Sequence, residues 1–131
     1  MVSRLVGIVL LQSLSVTAQA CLFISSTPPE GWYQWSARMF GGYVASVARD
    51  EAKPVDVITV RVVETFKGAD ATGGVITARV PTRNWVACKR EVPAVGARVL
   101  VALNANDEVE LVPLTDAYAA RFKEIQGQGK N

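Results

Sequence analysis

From Tyr43 to Val112 the apolar residues of this chain keep returning at every second position, a spacing that places them on one face of a β-strand and not of a helix. Val55–Phe66 carries the pattern furthest, with Ile58, Val60 and Val62 on one side and Thr59 and Arg61 on the other. Val62-Val63 breaks the parity, which predicts a bulge or a strand covered on both faces. Four further strands are expected over Tyr43–Ala48, Val75–Val80, Ala97–Leu103 and Glu108–Val112. Gly41-Gly42 is read as a sharp bend before the first of them, and Pro81 as the end of the third. Asn84–Cys88 is expected to be extended but irregular.

Two helices flank the strands in this reading. In the first, Thr27 caps, Pro28 opens and Glu30 reaches back to the Thr27 amide, while Trp32, Trp35 and Met39 share one face. An aromatic stripe at that spacing reads as core rather than as a stacking platform. In the second, Leu114, Tyr118, Phe122 and Ile125 form the apolar face behind a cap at Thr115 or Asp116, with Arg121 and Lys123 placed late, where the helix dipole favours cations. The expected fold is mainly β, a five-stranded Greek-key barrel of the OB type with a short N-terminal helix and a C-terminal amphipathic helix. A β-sandwich is the alternative, although it usually takes seven strands.

The first 20 residues read as an export signal. Arg4 and the terminal amine give a positive start, Leu5–Leu11 an apolar core, and Ala18-Gln19-Ala20 the small residues read at a cleavage site before Cys21. A membrane anchor would need roughly 20 apolar residues, and Gln12, Ser13, Ser15, Thr17 and Gln19 interrupt this run. Cys21 is also where a lipid would be attached, and that alternative stays open. The 111 residues from Cys21 to Asn131 suit one domain, barrel over 21–126 and polar tail over 127–131, exported to a periplasm or outside the cell. With 14 Lys and Arg against 12 Asp and Glu in the whole chain, no concentrated basic face argues for nucleic acid. A monomer without a membrane contact, unless lipidated at Cys21, is expected.

An oxidising compartment gives the two cysteines a use in each other. A Cys21–Cys88 bond closes a loop of 68 residues, worth up to about 4 kcal/mol in the chain-entropy account; two free thiols are the alternative. The chain has no histidine, which excludes Ser-His-Asp and Cys-His catalysis and removes the commonest metal ligand. Two cysteines cannot close a zinc site, and there is no Cys-x-x-Cys pair. Glu30, Asp50, Glu51, Glu64 and Glu91 read as a solvated face, and Gly68–Gly74 lacks the Lys-Ser or Lys-Thr step of a phosphate loop. No enzyme activity, metal or cofactor is expected.

Several segments in order resemble the netrin-module, or tissue-inhibitor-of-metalloproteinase-like (TIMP-like), family, including its small exported bacterial members. They are the Ala-Cys signal end, Phe40-Gly41-Gly42-Tyr43-Val44-Ala45-Ser46-Val47, Val60-Arg61-Val62-Val63-Glu64-Thr65-Phe66-Lys67-Gly68, Cys88, and Val95–Leu103. The resemblance implies an OB-type barrel whose N-terminal cysteine is tied to the domain by a disulfide. It further implies a free Cys21 amine and carbonyl able to enter the open position of a protease's catalytic zinc. The family's inhibitors begin with two cysteines one residue apart, whereas this chain begins Cys21-Leu22-Phe23 and has one anchoring bond at most.

These considerations nominate a partner surface at Cys21, Leu22 and Phe23 with the neighbouring Trp85–Cys88 segment, the partner being an exported zinc protease or another protein. A different face, Arg61 and Arg79 with Trp85, is the candidate for a glycan or an anionic ligand.

Overall fold

The computed structural model describes residues 27–129. The first 20 residues, Cys21, Leu22 and Phe23 therefore lie outside the described part. At its centre is β1 (Arg38–Asp50), hydrogen-bonded on one side to β2 (Val55–Lys67) and on the other to β4 (Arg98–Leu103). Outside these run β3 (Val75–Pro81), on β2, and β5 (Val109–Pro113), on β4. The result is one antiparallel sheet in the order β3-β2-β1-β4-β5.

β1 starts five residues before the expected Tyr43, and the sequence pattern hid this because the sheet is covered on both faces. Phe40, Val44, Ile58, Val60, Val62, Val99, Val101 and Leu111 meet on one face. Met39, Phe66, Leu100 and Ala102 meet Trp32, Leu114, Ala119 and Phe122 on the other. Successive residues such as Met39-Phe40 and Leu100-Val101 thus go to opposite cores, and both are buried. Burying one such side chain contributes about 1.5–3 kcal/mol. Met39 accordingly belongs to the strand and not to the helical stripe with Trp32 and Trp35.

Gly41 and Gly42 lie inside β1, at a register shift in its pairing with β2, and not at a bend before it. A Cβ on Gly42 would stand 2.1 Å from the Arg61 carbonyl oxygen. Only glycine lets the two backbones come this close.

The first helix, α1 (Pro29–Trp35), is shorter than expected; its N-cap is Pro28, so Thr27 is not the capping residue. Glu30 is engaged by Arg121 Nε at 2.7 Å. α2 (Thr82–Ala87) occupies the segment expected to be extended. Six residues are too few to show a helical period, and the reason for this turn of chain is packing: Trp85 joins the first core, near Val80 of β3 and Leu111 of β5. The last helix, α3 (Asp116–Gly129), runs through Gly127 and Gln128, placed in a polar tail by the sequence reading. Thr115 caps it, its Oγ1 accepting the Tyr118 N–H at 3.2 Å. Arg121 and Lys123 fall before its last turn and pair with Glu30 and Glu64 instead of serving the helix dipole.

The sheet is open. β3 and β5 approach each other but share no ladder among the described residues, and Val80, Asn84, Trp85 and Leu111 line one small cavity. A hydrogen-bonded closed barrel is therefore not formed. No helix among the described residues is long and apolar enough to cross a membrane.

Candidate functional site

α2 and the loop after it touch three features: a buried carboxylate bonded to Trp85, a second one on β5 bonded to Arg90, and a groove beside Cys88. Asp56, on the core side of β2, is 1% exposed. Its Oδ1 accepts Arg49 Nε at 2.8 Å, and its Oδ2 accepts Arg49 Nη2 at 3.3 Å and the Trp85 indole N–H at 2.7 Å. The Arg49 hydrogen bond holds the carboxyl below its ordinary range, outweighing burial, with the indole assisting. Trp85 is 5% exposed. Its ring fills the core and its one donor is spent on Asp56, so it anchors α2 to the sheet.

Glu110 is 4% exposed, facing Ala102 across the β5–β4 ladder. Arg90 Nη1 donates to its Oε2 at 2.5 Å, while Oε1 has no hydrogen-bond partner among the described residues. Burial pushes this carboxyl up to about 7, against the pull of the Arg90 hydrogen bond and charge, and the Glu108 charge adds to the rise. A cavity of about 20 Å³ adjoins it, lined by Val80, Asn84, Trp85, Arg90 and Leu111 among others. That volume holds a single water.

Cys88 follows α2 as its C-cap, its amide bonded to Asn84 O at 3.0 Å. It is half-buried and is not a free cysteine. It forms one wall of a groove of about 410 Å³, with Trp32 from α1, Val112 and Pro113 from β5, and Tyr118 from α3. This is the size of a pocket for a small ligand or a few side chains. The Tyr118 hydroxyl donates to Thr27 O at 2.6 Å, so the described chain begins at the groove's wall.

Of the residues nominated from sequence, the structure places Trp85 and Cys88 three residues apart on α2 and its cap, the first buried and the second at the groove. Arg61 and Arg79 are exposed on the opposite side of β2 and β3 from Trp85, so the three do not converge. The exposed aromatic beside Arg61 is Tyr43, its register partner on β1, 45% exposed. Glu110, Arg90 and the groove were missed from sequence. The one signal was an acid standing between Val109 and Leu111, which reads as the solvent face of an alternating strand.

Neither a family model nor a curated protein matches the chain.

Proposed function

We propose that the chain is an exported, non-enzymatic protein-binding module of netrin-module or TIMP-like type, its mature N-terminus starting at Cys21 and tied to Cys88. The observation that carries this reading is the position of Cys88. It stands in the wall of an apolar groove, on the side of the molecule from which residue 27 leads back toward Cys21. Cys88 is not free, and the chain contains one other cysteine. The sheet order supports an OB-like barrel left unpaired between β3 and β5.

In this reading the tether presents the Cys21 amine and carbonyl on a rigid base. Two donors fixed before binding lose little entropy on entering the open position of a protease zinc. The test begins with the intact mass of the protein purified from an exporting host, before and after reduction and alkylation. A chain starting at Cys21 that gains two alkyl groups only after reduction is expected, and a lipid on Cys21 would replace the reading with a membrane-tethered domain. Inhibition of a panel of zinc proteases at micromolar dose then tests the partner class; a fully active panel removes protease inhibition from the reading.

A second reading places an anionic glycan on the outer face of β1, β2 and β3. What favours it is Tyr43 beside Arg61, with Arg79 four register positions further along, about 13 Å away at the rise of a strand. Loss of binding to sulfated glycans on Tyr43→Ala and Arg61→Ala would support it, and no binding by the wild type would end it.

A further inference from the structure

We infer that the groove beside Cys88 is filled by the chain's own Leu22-Phe23-Ile24, so that the N-terminal segment is held by docking as well as by a disulfide. This rests on the proposed Cys21–Cys88 tether, and it assigns the groove an occupant that the tether alone does not require.

Reach, chemistry and place all select this segment. Thr27 is fixed at the groove by the Tyr118 hydroxyl. Cys21 lies six residues before it, a span of at most about 20 Å when extended. A disulfide brings the two Cα atoms to about 5.5–6 Å of each other, so a bond to Cys88 would return the segment to the wall where it started. Between the two fixed points lie Leu22, Phe23, Ile24, Ser25 and Ser26, three large apolar side chains and no charge. The groove they would cross is apolar on the side of Trp32, Val112, Pro113 and Tyr118, and Lys89 and Arg90 complete its lining. An uncharged apolar segment buries its surface against those four residues, Arg90 being already paired with Glu110, and the groove is large enough for a few side chains. With a single disulfide available to hold the N-terminus, docking supplies a second fixing point for the Cys21 amine.

The test uses the full chain produced for export and purified. Nuclear Overhauser contacts from the Phe23 ring to the Val112 methyls and the Tyr118 ring are expected in the wild type. Phe23→Ser should raise the fluorescence of added anilinonaphthalene sulfonate several-fold and lower Tm by about 5–10 °C. Absence of those contacts, with wild-type dye fluorescence already equal to that of Phe23→Ser, overturns the inference. If Phe23→Ser does not fold, the wild-type contacts decide. Alkylation of Cys88 without reduction would refute the tether independently, and the Phe23 contacts would still decide the docking.

Discussion

Glu110 should make this protein less stable at neutral pH than at mildly acidic pH. Its carboxyl moves from an ordinary 4.5 to about 7 on folding, chiefly because burial penalises the ion. Each pH unit of displacement is worth about 1.4 kcal/mol, so the ionised group costs the fold on the order of 3 kcal/mol. Well below pH 4.5 both folded and unfolded chains hold this proton, and Glu110 adds no pH dependence. Between 4.5 and 7 the folded chain keeps a proton that the unfolded chain has released, so stability falls as pH rises. Above 7 the loss is complete. The groups with lowered values, Asp56, Glu30 and Asp70, act in the opposite sense and at lower pH, where each loses its stabilising partner on protonation. Urea unfolding at pH 5 and pH 8 should show the difference in the wild type and remove most of it in Glu110→Gln, whose amide keeps the shape without the charge. Equal stability of the wild type at the two pH values, or an unchanged slope in Glu110→Gln, would refute the burial argument.

Gly42→Ala should cost about 3 kcal/mol or more, since the added Cβ meets the Arg61 carbonyl and no rotamer relieves a backbone contact; a near-wild-type Tm would contradict the β1–β2 register. Trp85→Phe keeps most of the packing but deprives the buried Asp56 of its indole donor, a loss of about 1–3 kcal/mol by denaturant unfolding, whereas no change would mean that the ring alone anchors α2. Reduction of the oxidised protein should lower its stability by up to about 4 kcal/mol, and an unchanged urea midpoint in reductant would count against the Cys21–Cys88 tether. Arg121→Ala, which removes an exposed pair between α1 and α3, should change stability by less than about 1 kcal/mol, and a larger loss would show that α1 docks through this pair more than through Trp32.

The strands were legible wherever one face alone is buried. Val75–Val80 and Val55–Phe66 alternate visibly because the outward positions, Thr59, Arg61, Thr77 and Arg79, meet water. The signal failed where helices cover the second face. Arg38–Gly42 reads as the end of a helix followed by a bend, yet it is the start of the central strand, since Met39 and Phe40 supply separate cores. α2 was invisible for a different reason. Its position depends on Trp85 reaching Asp56, a contact across 29 residues that no local pattern encodes.

The same two-sided covering explains why the site's charged members escaped notice. An alternating strand assigns its polar residues to solvent, and Glu110 obeys that alternation while being buried by chain that crosses over it with Arg90. α2 thus does two things at once. Through Trp85 it packs into the first core and hydrogen-bonds the buried Asp56, and through Cys88 it sets a sulfur in the wall of the groove. Trp85 and Cys88 stand three residues apart on this helix and its cap, so the seat of α2 in the core and the proposed tether are coupled. A variant that loosens Trp85 should also weaken protection of the Cys88 sulfur from reductant. Measured as the rate of alkylation under limiting dithiothreitol, that rate should rise in Trp85→Ala even below its unfolding temperature, and an unchanged rate would separate the two roles of α2.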